Sequence, residues 1–138
     1  IVREGATFRG GVAAFDRASG APLWRNYTAD PPHNGASVWS TVSIDTAARV
    51  VFAGSGQNYT GEAGPDSDAI IALDLDSGAR LWTTQTVEGD VFTPINPGGP
   101  DADFGANPIL FDADIDRKYF RKLMKKYAIE AGDDDDDE

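Results

Sequence analysis

An eleven-residue segment occurs twice in the chain, and no other feature limits the fold as strongly. Ala14-Phe15-Asp16-Arg17-Ala18-Ser19-Gly20-Ala21-Pro22-Leu23-Trp24 matches Ala72-Leu73-Asp74-Leu75-Asp76-Ser77-Gly78-Ala79-Arg80-Leu81-Trp82 at an offset of 58, with seven of eleven positions identical. Self-similarity at a fixed period means stacked units, each leaning on its neighbour.

Each copy reads as a hairpin. An apolar run (Val12 to Phe15, Ile70 to Leu73) meets an Asp-x-x-Ser-Gly turn and continues into a second apolar stretch ending in tryptophan. The glycine supplies a positive φ, and the aspartate can accept the turn amides. Between the copies, Val38 to Ile44 and Arg49 to Ala53 are two further strand candidates around the turn Asp45-Thr46-Ala47-Ala48. Four antiparallel strands per repeat make a propeller blade, so the expected fold is all-β, a partial β-propeller of about two blades over residues 1–111. A blade buries its faces only against other blades. The outer faces of such a piece therefore need the remaining propeller blades or another copy of the chain to cover them.

Composition agrees. The 15 glycines and 8 prolines favour short strands and turns over helices. There is no cysteine, which removes disulfides and thiolate chemistry and leaves the compartment open. No apolar run reaches the roughly 20 residues of a membrane span, and Ile1 is not followed by a leader pattern, so the natural start is expected upstream. A net charge of −11 argues against nucleic-acid binding, although six acidic residues of that total fall in 133–138.

The texture changes at Asp112. Ile115, Tyr119, Phe120, Leu123, Met124, Tyr127 and Ala128 form one helical stripe, so an amphipathic helix is expected over 112–132, capped by Asp112 or Asp114 and ended by Gly132. Its Lys/Arg-rich rim can stay wet while the stripe covers a blade face, or can meet an acidic partner or membrane surface. The acidic run 133–138 is expected to be disordered.

The two repeats resemble the tryptophan-docking motifs of quinoprotein propellers. Gly35-Ala36-Ser37-Val38-Trp39-Ser40-Thr41, Gly54-Ser55-Gly56-Gln57-Asn58-Tyr59, Gln85-Thr86 with Asp90, and Gly99-Pro100-Asp101-Ala102-Asp103-Phe104-Gly105 extend the likeness. Together they are similar to the alcohol and polyvinyl-alcohol dehydrogenase branch of the pyrroloquinoline-quinone (PQQ)-dependent family. The resemblance covers Thr7 to Phe111 and not the helix or the acidic run. It implies an eight-bladed propeller with PQQ and calcium on its axis, a small alcohol as substrate, hydride transfer to the quinone, and a periplasmic or secreted location.

Position by position, the resemblance makes Trp39 the platform under the quinone, where its residue type alone would sooner suit a core. Gln57 stands where the family has a calcium-ligating asparagine, with Asn58 next to it; amide oxygens suit that hard cation, and a simple turn is the alternative. Asp90 opens a family Asp-x-x-Asp segment, but Thr93 stands at the place of the catalytic base, and a threonine hydroxyl stays protonated near neutral pH. Asp90, Asp101 and Asp103 are therefore the acid/base candidates, with a solvated turn as the plain reading of the last two. The Gly54-x-Gly56 pattern lacks the third glycine and the following helix of a dinucleotide site. His33, the single histidine, lies in a loop composition. Trp24 and Trp82 read as mortar between blades. The expected function is a piece of a PQQ-dependent dehydrogenase, inactive alone. The alternative is a non-catalytic propeller scaffold or interaction module, favoured by Thr93 and Gln57.

Overall fold

The computed structural model describes residues 7–94, 96–99 and 101–110. Among them there are six strands and no helix: β1 (Gly11–Phe15), β2 (Pro22–Tyr27), β3 (Ser43–Asp45), β4 (Val50–Gly54), β5 (Ala69–Asp74) and β6 (Arg80–Gln85). The expected helix over 112–132 and the acidic run 133–138 lie outside the described residues.

β1 and β2 form an antiparallel hairpin, while β3-β4-β5-β6 form a four-stranded sheet with every neighbouring pair antiparallel. The second sheet is one whole blade, and the hairpin matches its outer half. Thus the repeat predicted both hairpins, and the described residues hold one blade and half of another. Both hairpins slip register at the same place, between Ala14 and Phe15 and between Ala72 and Leu73, so the bulge belongs to the motif. Each tryptophan sits at the middle of its strand, not at the end, with Trp24 opposite Ala14 and Trp82 opposite Ala72.

The turns are built alike. Asp16 Oδ1 accepts the Ser19 amide (2.7 Å) and hydroxyl (2.6 Å), and Asp74 Oδ1 accepts the Ser77 amide (2.8 Å) and hydroxyl (2.6 Å). Gly20 and Gly78 take φ of 74° and 69°. These exposed carboxylates are held below the ordinary aspartate range by their serine hydrogen bonds.

The core lies between hairpin and blade: Val12 of β1 packs with Val51, Ala53, Ala69, Ile71 and Leu73, and Trp24 closes its edge. The opposite blade face carries a different row. Phe52, Ala72 and Trp82 are cross-strand partners, and the small Ala72 lets the two rings meet above it at 5.8 Å between centroids.

One strand expectation needs correction. Of Val38 to Ile44 only Ser43 and Ile44 pair as strand, because the preceding backbone is used elsewhere: the Ala36 amide donates to the Gln57 carbonyl (2.8 Å) and the Ser37 carbonyl accepts the Gly56 amide (3.0 Å). Val38 and Val42 still pack on the core. The Pro108 carbonyl accepts the Ser43 hydroxyl, which ties the segment after Gly105 to the start of β3.

Candidate functional site

The ends of β4 and β6, the start of β5 and the loops 35–42 and 90–105 meet at one end of the blade. Small residues make the meeting possible. A Cβ at Gly54 would lie 2.6 Å from the Cβ of Phe104, and one at Gly56 would lie 2.1 Å from Asp103 Oδ1 and 3.5 Å from Trp39 Nε1. The Asp103 carboxylate and the Trp39 indole therefore flank the same glycine. Gly105 approaches the other end of the indole, with a Cβ there 3.0 Å from Trp39 Cη2. Trp39 is nonetheless 60 % exposed, a large aromatic surface open to solvent and not a core residue.

Asp103 is exposed, and its Oδ1 accepts the Gln57 amide at 3.1 Å. Gln57 is buried and its Nε2 donates to the Phe92 carbonyl at 3.0 Å, which ties the loop after β4 to the loop after β6. Asp101 is exposed on the same segment as Asp103. Asp90 is wholly buried, with Oδ1 accepting the Phe92 amide (2.8 Å) and Oδ2 the Ala102 amide (2.9 Å). Both oxygens are thereby engaged in holding the 90–102 loop closed.

Asn58 faces away from this end. Its Oδ1 accepts the Asn34 amide at 3.0 Å and its Nδ2 donates to the Thr60 carbonyl at 2.5 Å, while Asn34 Oδ1 accepts the Tyr59 and Thr60 amides. The pair ties two loops together. His33 lies in that neighbourhood, with Nδ1 3.2 Å from the Glu62 carbonyl and its ring against Gly64.

Sequence reasoning missed Asp68. Its carboxylate is fully buried, and both oxygens lack a hydrogen-bond partner. Its backbone is well anchored: the amide donates to Gly56 (3.1 Å), and the carbonyl accepts the Thr86 amide (2.9 Å) and hydroxyl (2.8 Å), at a φ of 48°. Burial first, then the nearby Asp90, Asp103 and Asp101 charges, push its pKa up to about 7. The available signal was a carboxylate immediately ahead of an apolar strand, Asp68-Ala69-Ile70, but beside Asp66 and Ser67 it reads as turn composition.

The family resemblance implies two groups at this end of the blade, PQQ and calcium. An open indole wedged between Gly56 and Gly105 suits a flat conjugated ligand. Calcium is fitted less well: among the described residues no three His, Asp or Glu side chains are placed to share a metal ion, and both ends of the Asn58 amide are engaged within the protein.

A four-stranded antiparallel blade packed on a hairpin that carries the same turn motif defines the class as β-propeller. Within that class the chain belongs to the PQQ-dependent dehydrogenases: residues 3–126 match the family model "Glucose/ethanol/alcohol dehydrogenase, beta-propeller domain". A polyvinylalcohol dehydrogenase of Sphingopyxis sp. (strain 113P3) is 31 % identical over 77 % of this chain and 20 % of its own length. One from Pseudomonas sp is 29 % identical over 97 % of this chain and 25 % of its own. The chain thus spans a fifth to a quarter of these relatives. Among solved structures, quinohemoprotein alcohol dehydrogenases of Comamonas testosteroni (TM-score 0.53, 20 % identity, 63 % of this chain and 18 % of that one) and Pseudomonas putida HK5 (0.51, 23 %, 61 % and 17 %) share the fold.

Proposed function

We propose that this chain supplies one wall of the cofactor site of a PQQ-dependent dehydrogenase that oxidises an alcohol, working in the periplasm or outside the cell. The observation that carries the reading is the Trp39 indole, open on one side and beside the exposed carboxylate of Asp103. PQQ, when bound, supplies the two-electron acceptor for the hydride leaving the alcohol carbon.

The chain's own residues have separate tasks. Trp39 stacks under a planar ligand and sets its height against the Gly56 and Gly105 backbone, which lets the indole lie close. Asp103, with Asp101 on the same segment, would take the hydroxyl proton of the alcohol as the carbonyl product forms. Gln57 holds Asp103 through its amide and the Phe92 loop through its side chain. Asp90 keeps that loop closed and has no route to substrate while buried. Asn58 acts in this reading as a loop tie. The match to the dehydrogenase family model favours this function over a scaffold role.

Calorimetric titration of the chain with PQQ tests the assignment. Binding is expected in the wild type and in Asp103→Asn, and lost in Trp39→Ala. Undiminished binding by folded Trp39→Ala would remove the platform.

A further inference from the structure

The described residues bury three carboxylates, and only one of them is left without support. Asp66 is paired with Arg80 at 2.7 Å, and Asp90 accepts two backbone amides, but neither oxygen of Asp68 has a hydrogen-bond partner. A buried charge with no partner costs far more than the neutral acid, so Asp68 is held in its protonated form. It is wholly enclosed by the described residues, so no further segment can reach it unless they move.

The charges that bear on Asp68 are all negative: Asp90 first, then Asp103 and Asp101. The other elements packed against it bring no cation. The loop after β4 gives the Gly56 carbonyl to its amide (3.1 Å), and the residue after β6, Thr86, gives an amide and a hydroxyl to its carbonyl. On its own turn the Asp66 charge is taken by Arg80. Elsewhere Arg49 is paired with Asp76, Arg9 and Arg25 lie against Tyr27, and residues 7–110 contain no lysine.

The segment 101–105 is held by few contacts. The Ala102 amide donates to Asp90 Oδ2 (2.9 Å), Asp103 Oδ1 accepts the Gln57 amide (3.1 Å), and Phe104 lies against Gly54. Two of these anchors end on Asp90 and Asp103, the same two carboxylates that bear most on Asp68. A charge on Asp68 therefore pushes on both at once.

We propose that Asp68 is a positioning residue for this site: while neutral it lets segment 101–105 rest on the blade with Asp103 beside Trp39, and on losing its proton it drives that segment off. This role rests on the dehydrogenase reading for what Asp103 does, but not for where Asp103 is held. A test without cofactor therefore separates a failure of the positioning role from a failure to bind PQQ.

Amide hydrogen exchange of the full chain, followed by NMR from pH 5 to 8, reads the release of the segment. The Ala102 and Gln57 amides, bonded to Asp90 and Asp103, report the segment, and the amides of β5 report global unfolding. The closed state keeps a proton that the open state gives up, so opening grows as pH rises towards the folded pKa of about 7. After correction for intrinsic exchange, protection of Ala102 and Gln57 is expected to fall roughly tenfold per pH unit from about pH 5 to 6.5 and to level off above 7. It should stay below the protection of β5 throughout, and in Asp68→Asn the profile should be flat. A level wild-type profile, or segment amides that exchange only as fast as those of β5, would overturn the proposal even if the variant does not fold. A slope that survives in folded Asp68→Asn would overturn it as well, since another group would then be releasing the proton.

Discussion

The turns at Asp16–Gly20 and Asp74–Gly78 have the same aspartate and serine bonds and nearly the same glycine φ, but only the second lies beneath an indole. Their shape is therefore local, written in five residues, and tertiary contact adds nothing visible to it. What differs is consequence. Gly20 is a conformational requirement alone, whereas Gly78 is also a seat, and the same chemistry distinguishes half-buried Trp24 from open Trp82.

Paired substitutions break or sharpen this contrast. Gly78→Ala places a methyl 2.4 Å from the Trp24 ring in a left-handed residue, so a loss of about 3 kcal/mol or more is expected; Gly20→Ala pays only the backbone term, about 1 kcal/mol. Trp24→Ala should cost about 3 kcal/mol, and Trp82→Ala about 1 kcal/mol. Urea unfolding of the four variants checks both pairs. Equal losses within a pair would show that the seat contributes nothing.

The same contrast explains what could be read without the structure. The hairpins were legible because their hydrogen bonds close within a few residues, and β4 and β5 because their apolar runs are bounded by turns. Val38 to Val42 was misread because the backbone just ahead of it, Ala36 and Ser37, is bonded to Gln57 and Gly56 of a distant loop. The site divides likewise. Trp39 and Asp103 stood out as residue types in a motif and do flank one glycine. Asn58 stood out equally, yet its amide is spent on Asn34 and Thr60. Asp68 is invisible in sequence because its burial arises only where its strand start meets Gly56 and Thr86.

Asp68 and the turn aspartates form the second comparison, one buried without partners and two exposed with several. Their pH effects have opposite sign. With its pKa raised to about 7 from an unfolded value of about 3.9, Asp68 holds a proton in the folded state that the unfolded chain releases. Stability from this group is complete below the unfolded value and is lost as pH rises through about 7. Asp68→Asn should therefore flatten the decline between pH 4 and 8 and be more stable than wild type at pH 8, by on the order of 2–4 kcal/mol. Thermal melts at the two pH values decide it; identical wild-type and variant slopes would mean that Asp68 ionises freely.

For Asp16 and Asp74 the folded pKa is depressed, chiefly by the serine hydroxyl in each turn. Their contribution is present above the unfolded value and fades as pH falls through the lower folded one, so it appears only in the acid limb. Asp16→Ala and Asp74→Ala should each remove a small part of that limb and leave the slope between pH 5 and 8 untouched. Because the serine bonds are internal to each turn, the two losses should be equal once salt screens the Arg49 charge that also lowers the Asp74 pKa, despite the indole over one turn and not the other. A larger loss in Asp74→Ala would mean that Trp24 is needed to hold the turn it covers, and the turns would no longer be local structures.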